Sequence, residues 1–236
     1  MPTPSPSQQP GPPLELVLLD VNETLFSLQP VADRMAEIGL DGRLELWFTR
    51  ILRDGFAAAA ADSFVGFREL AEHHLLVLLR REHLTATATE VAHVLGGFDE
   101  VVPHPDVASG LADLRRADIT AVALTNGSAE ITRGFLDRSG LAELVDDVRD
   151  VGEAGRWKPA PEPYLLEVER RGSTPRTTAM IAVHPWDLYG ARSAGLITAW
   201  LDRDGVADFP SAFGTPDVHA ATLGGLVDGL LDRPRV

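Results

Sequence analysis

The sequence predicts an α/β fold in which a parallel sheet is interrupted, near its start, by a run of helices. Three features carry this expectation. Short apolar runs alternate with helical patterns along most of the chain. Those runs are apolar throughout, as strands buried on both faces should be. Between Gln29 and Gly97 the alternation stops and no convincing strand appears.

Residues 1–13 (MPTPSPSQQPGPP) lack a basic start and an apolar segment, so they read as a disordered tail and not a signal peptide. Leu14–Asp20 (LELVLLD) is the first expected strand. Val31–Ile38, Leu44–Ala61, Phe64–Arg81 and Thr87–Leu95 carry apolar residues at threes and fours and read as helices. The alanines Ala57–Ala61 favour helix strongly. A helix over Val107–Arg116 then leads into a strand at Ile119–Thr125, and a helix follows at Ala129–Ser139. A weaker strand lies near Leu144–Val148. The order continues with helix Glu162–Arg171, strand Thr178–Val183, helix Trp186–Ala194 and strand Leu196–Leu201. Residues 14–28 and 98–236 are therefore expected to form the core, with 29–97 as a helical insert. The alternative is one continuous α/β domain with a long first crossover.

Composition narrows the function. With 35 acidic against 21 basic residues the net charge is −14, which repels nucleic acid and anionic membrane. A small anionic substrate stays compatible, because the local field of a pocket outweighs net charge. The absence of cysteine rules out disulfides, thiolate catalysis and cysteine-ligated zinc. No apolar run has the length of a membrane span, and a soluble, cytoplasmic protein is expected.

Sites in open parallel sheets form at the carboxyl ends of strands. Four polar clusters stand there. In the first, Asp20-Val-Asn-Glu-Thr24, an acid ends a strand and a hydroxyl follows four residues later to orient it. Alone, such an Asp more often caps a turn. In the second, Thr125-Asn-Gly-Ser128, Thr125 and Asn126 offer donors to an oxyanion or halide, and Ser128 reads as a helix cap. The third is Arg156-Trp-Lys-Pro159 with Tyr164 beyond it. Lys158 is the sole lysine of the chain, which makes a casual surface position less natural, and an ammonium beside Asp20 would keep that acid ionised. The fourth is Val183-His-Pro-Trp-Asp187, where Asp187 is a base, a metal ligand or a helix cap, His184 is more often a packed histidine, and Trp186 is a wall residue.

Taken together and in this order, the clusters resemble the motifs of the haloacid dehalogenase superfamily, and within it the type II (L-2-haloacid dehalogenase) group. The resemblance runs from about Leu14 to Leu231 and rests most on Lys158-Pro159 followed by Tyr164, and on Trp186-Asp187 followed by Gly190-Ala191-Arg192. It implies a Rossmann-like core, a helical cap at 29–97 and a homodimer. It also implies that Asp20 is the nucleophile, that Thr24 and Thr125 orient it, that Lys158 keeps it ionised, and that Asp187, alone or with His184, activates water. Asn22, Asn126, Tyr164, His184 and Trp186 would then line the substrate.

Several positions depart from the family pattern. The superfamily's phosphatases carry a second acid where this chain has Asn22, and an acid before the last motif where this chain has Val183-His184-Pro185. That argues against Mg²⁺-dependent phosphoryl transfer, so no cofactor or metal is expected unless a phosphatase reading holds. The dehalogenases' cap Trp-Arg is here Trp47-Phe48, leaving Arg50 or Arg53, which helix geometry turns to different faces, to substitute, with Arg50 the expected substrate-binding cation. The expected activity is hydrolytic dehalogenation of short 2-haloalkanoates. An atypical phosphatase and a catalytically weak ligand-binding protein are the alternatives.

Overall fold

The computed structural model describes residues 12–203, 205 and 209–233. Residues 1–11 of the expected tail lie outside the described residues. The chain begins with β1 (Leu16–Leu19) and a two-residue strand β2 (Phe26–Ser27), then enters α1 (Gln29–Glu37), α2 (Leu44–Ala60), α3 (Phe67–Arg81) and α4 (Ala88–Leu95). It returns through β3 (Val102–Pro103), α5 (Val107–Arg116), β4 (Thr120–Thr125), α6 (Ala129–Arg138) and β5 (Asp147–Asp150). It finishes with α7 (Pro161–Arg170), β6 (Thr178–Ala182), α8 (Pro185–Ser193), β7 (Ile197–Leu201), β8 (Val218–Ala220) and α9 (Leu223–Leu231).

Six strands form one parallel sheet in the order β5-β4-β1-β6-β7-β8. Numbering only these strands along the chain, the order is 3-2-1-4-5-6, the doubly wound Rossmann-like arrangement. Its direction reverses between β1 and β6, and there the chain ends diverge to leave a crevice. Leu19 is in register with both Ala123 of β4 and Ile181 of β6, so Asp20 emerges at that crevice.

β1 is apolar at every position because both its faces are covered. Val17 and Leu19 pack with Leu111 and Leu114 of α5 and Leu226 of α9. Leu16 and Leu18 pack on the other face with Tyr164 and Val168 of α7 and Leu188 and Ala191 of α8. Each such side chain is fully enclosed, which stabilises by about 1.5–3 kcal/mol per Leu or Val.

α1–α4 leave and rejoin the sheet at the antiparallel β2–β3 pair. Trp47 of α2 donates its indole N–H to the Ala71 carbonyl of α3 (3.0 Å), holding these helices together. The insert rests on the core through Gly55, where an added Cβ would lie 2.3 Å from the Trp157 ring. Phe67 of α3 stacks on the same ring. No helix among the described residues is long and apolar enough to cross a membrane.

The expected strand near Leu144–Val148 lies slightly later, at Asp147–Asp150, because Ala142–Leu144 winds into a 3-10 turn. The helix expected from Phe64 starts at Phe67, after Gly66 in an extended conformation.

Candidate active site

The site is built on the loops that follow β1, β4, β5 and β6. Asp20 is 5 % exposed and takes hydrogen bonds on both oxygens. Its Oδ1 accepts from Lys158 Nζ (3.0 Å), and its Oδ2 accepts from the Thr24 hydroxyl (2.8 Å) and from His184 Nδ1 (2.8 Å). Thr24 is fixed in turn, its oxygen accepting the Val183 N–H (3.1 Å) and its carbonyl accepting Arg203 Nη2 (2.7 Å).

Lys158 is completely buried and donates three bonds, to Asp20, to Asp187 Oδ2 (2.6 Å) and to the Leu124 carbonyl at the end of β4 (2.7 Å). These use all three ammonium protons. Asn126 anchors the backbone of Lys158 from both sides: its Oδ1 accepts the Lys158 N–H (2.9 Å) and its Nδ2 donates to the Lys158 carbonyl (3.1 Å). Asp187, also fully buried, accepts on its other oxygen from the Tyr164 hydroxyl.

Electrostatics follow from this packing. Burial works against charge on Asp20, but Lys158 and His184 outweigh it and hold its carboxyl well below the ordinary carboxylate range. Burial would strip Lys158 of its proton; Asp187 and Asp20 reverse that and raise its pKa. Asp187 goes the other way: burial raises it against the pull of Lys158, and neighbouring Asp20 raises it further. Tyr164 is pushed well up by burial and by Asp187. His184 Nε2 lies 2.9 Å from Glu23 Oε2. A carboxylate stands at each ring nitrogen, so both nitrogens donate and the ring is an imidazolium. Burial opposes that charge, yet Asp20 and Glu23 carry the pKa up to about 10.

The structure thus gathers Asp20, Thr24, Lys158, Asp187, Tyr164 and His184 into one hydrogen-bonded centre, with Trp186 stacked on His184 (5.2 Å between centroids). Two expectations, for Thr125 and Arg50, need correction. Thr125 does not reach Asp20; its oxygen accepts the Gly127 N–H (2.9 Å) and shapes the loop after β4. Asn126 positions the lysine with its Oδ1 and one of its two Nδ2 protons, and it also lines the cavity beside the site, where the second Nδ2 proton is available to a ligand. Arg50 is half-buried, one of its Nη atoms enclosed without a partner among the described residues, and it does not line the pocket beside His184 and Trp186. Helical rotation of 100° per residue instead puts Thr49, Leu52, Arg53 and Phe56 beside His184 and Trp186.

Glu23 and Arg203 are site residues to which the sequence reading gives no role. Glu23 stands inside the first motif, but its partner is 161 positions away. Its backbone adopts φ 62°, a left-handed conformation costing a non-glycine residue roughly 1–2 kcal/mol. Its carbonyl accepts from His104 Nε2 (3.0 Å), which holds the turn.

Asn22, Thr125, Asn126 and Ser128 line the base of a cavity of about 340 Å³ whose walls are Phe64, Phe67, Phe98, Ile131 and Phe135. Ser128 caps α6, accepting the Ile131 N–H (3.3 Å). Among the described residues no group of three or more His, Asp or Glu side chains is gathered to hold a metal ion. The two acids of the centre, Asp20 and Asp187, are both bonded to the Lys158 ammonium.

Fold and site together define a doubly wound α/β protein with a helical insert and a buried acid–lysine–acid centre at the point where the sheet reverses direction. A family model for haloacid dehalogenase-like hydrolases matches residues 14–195. The chain belongs to that family of hydrolases. It is 26 % identical over 195 residues to (S)-2-haloacid dehalogenase 4A of Burkholderia cepacia, covering 81 % of this chain and 84 % of the relative. It is 27 % identical over 242 residues to the phosphoserine phosphatase of Thermus thermophilus, covering 89 % and 96 %. The solved L-2-haloacid dehalogenase of Xanthobacter autotrophicus superposes with a TM-score of 0.79 at 24 % identity, over 91 % of this chain and 97 % of that one.

Proposed function

We propose that this protein is a 2-haloacid dehalogenase that works through a covalent aspartyl ester. One observation carries the reading: a buried carboxylate, Asp20, is kept ionised by a fully buried ammonium, Lys158, with no bulk water to solvate it. A desolvated, ionised carboxylate is a competent nucleophile toward an sp³ carbon bearing a leaving group. Asp20 attacks C2 of the substrate and expels halide; water then hydrolyses the ester. The aromatic cavity above Asn22 and Asn126 receives the alkyl part of the substrate. Arg68, which lines the same cavity, and Arg53, beside His184, are the cap arginines placed near the cleft for an anionic substrate. The reaction draws on no metal.

Halide release from 2-chloro- and 2-bromopropionate in the presence of EDTA tests this, with Asp20→Asn as the control. Release that Asp20→Asn abolishes is expected; no release from either acid by the parent protein refutes it. A phosphate-ester reading is favoured by one finding, the relative from Thermus thermophilus. It requires Mg²⁺-dependent hydrolysis of p-nitrophenyl phosphate, and a protein inert at every Mg²⁺ concentration disposes of it.

A further inference from the structure

The two oxygens of Asp20 are not equivalent. Oδ2 already meets two donors, the Thr24 hydroxyl and His184 Nδ1, one for each lone pair. Oδ1 meets only Lys158, leaving a lone pair for attack on carbon. We infer that Oδ1 is the attacking atom and that His184, held by Glu23, is a cationic oxyanion donor to Oδ2 during hydrolysis of the ester. This rests on the aspartyl-ester reading and assigns a step within it.

The bond changes follow. Oδ1 forms a bond to C2 as the carbon–halogen bond breaks, and halide leaves with its electron pair. Oδ2 is then the carbonyl oxygen of the ester. Water adds to Cγ, and the π pair of the carbonyl moves onto Oδ2. Two donors at 2.8 Å wait there before any charge has developed, which is how an oxyanion hole lowers a barrier without reorganisation. Collapse re-forms the carbonyl and breaks Cγ–Oδ1. Oδ1 departs as the hydroxyl oxygen of the 2-hydroxy acid, and the oxygen from water remains on Asp20. Of the two protons of water, one goes to the departing hydroxyl and one to solvent alongside the halide.

Glu23 explains how His184 stays charged through this sequence. In the resting site the Asp20 carboxylate helps hold the imidazolium proton. Once esterified, Asp20 is neutral and that help is gone. Glu23, 2.9 Å from Nε2 and 41 % exposed at the edge of the site, takes no part in the ester and continues to hold the Nε2 proton by its hydrogen bond. Phe48 and Trp186 pack against the imidazole and fix its plane. Asp187 cannot substitute for Glu23, because it is fully buried and bonded on both oxygens, to Lys158 and Tyr164. His184 is thus a catalytic residue, and Glu23 a positioning residue that acts through it.

Glu23→Gln keeps the shape of the side chain and removes its charge at a partly exposed position, so folding is spared. Rapid-quench measurement with 2-bromopropionate should show one equivalent of bromide per active site at close to the parent rate, followed by turnover slowed at least about tenfold, one pKa unit's worth of lost charge stabilisation. Mass spectrometry of the quenched protein should find a 1-carboxyethyl ester on Asp20 that the parent does not accumulate. His184→Gln should show the same split more strongly, with ester hydrolysis slowed on the order of 10²–10³-fold. Equal loss of burst and turnover in Glu23→Gln, or unchanged turnover in both variants, overturns the assignment while leaving the ester reading standing. A parent protein that releases bromide without ever forming an Asp20 adduct, and without placing ¹⁸O from labelled water on Asp20 in a single turnover, overturns the ester reading and this inference with it.

Discussion

Replacing Lys158 with Met tests the centre most directly. The change keeps volume and removes the only positive charge between two buried carboxylates, which lie 3.0 and 2.6 Å from Nζ. Breaking a buried ion pair from one side costs about 3–5 kcal/mol, because the remaining charge has no partner. For a chain of this size each kcal/mol moves the melting temperature by about 2–4 °C, so a fall of roughly 6–20 °C is expected at neutral pH. The variant relieves itself by protonating one carboxylate. In the parent, Asp20 has a depressed pKa and its contribution is complete above the unfolded value. In Lys158→Met, Asp20 or Asp187 acquires a raised pKa, so its protonated form stabilises at low pH and that stability is lost as pH rises. The gap between parent and variant should therefore widen from pH 5 to pH 7.5 in thermal melts followed by circular dichroism. Dehalogenation should drop on the order of 10³-fold, since the nucleophile is now protonated and its electrostatic partner gone. A variant that melts within 2 °C (about 1 kcal/mol) of the parent at both pH values would refute the reasoning.

Further outcomes can be checked alongside it. Gly190 of α8 approaches so closely that an added Cβ would sit 2.4 Å from the Pro159 carbonyl oxygen; Gly190→Ala should cost about 1–3 kcal/mol in urea unfolding and disturb Lys158 next door, and an unchanged midpoint would contradict the packing. Asn126→Leu leaves the buried N–H and C=O of Lys158 without their side-chain partner, at about 1–3 kcal/mol for each group, and should cut turnover far more than it raises KM. His184 has a raised pKa, so its share of stability is complete below about pH 6.5 and is lost as pH climbs towards about 10; His184→Gln should flatten that alkaline limb of the stability curve. The 340 Å³ cavity far exceeds the needs of a two- or three-carbon acid. Each methylene buried contributes about 0.8 kcal/mol, so kcat/KM should rise up to about fourfold per carbon from 2-bromopropionate to 2-bromohexanoate, and a steady decline along that series would count against the cavity as the substrate's seat.

What could be read from sequence, and what could not, divides along the range of the interactions. The strand before Asp20 and the strand before His184 are uniform apolar runs, and both lie where their composition placed them. Asp20, Lys158 and Asp187 stand where polar residues interrupt such runs, so the approach to the crevice was legible. β8 and α9 were not. β8 is a three-residue, partly exposed edge strand, and α9 carries three glycines that mask its helical period. The pairing of β2 with β3 joins two-residue segments 75 positions apart, too short to leave a pattern. Thr125 and Asn126 were correctly placed near the site, but their side chains turn to Gly127 and to the backbone of Lys158. Only three-dimensional bonding settles such a choice. The Glu23–His184 contact is of the same kind: each residue sits in a visible motif, and nothing local says that the two motifs meet.

The solitary lysine has a practical consequence. Every other basic side chain of the exterior is a guanidinium or an imidazole, and the one ε-amine is sealed beneath the nucleophile. Acylating esters, reductive methylation and aldehyde crosslinkers should leave the native molecule almost untouched apart from its amino terminus. Any slow incorporation at Lys158 would then clock the breathing of the cleft itself, giving a one-residue chemical stopwatch that needs no engineered label.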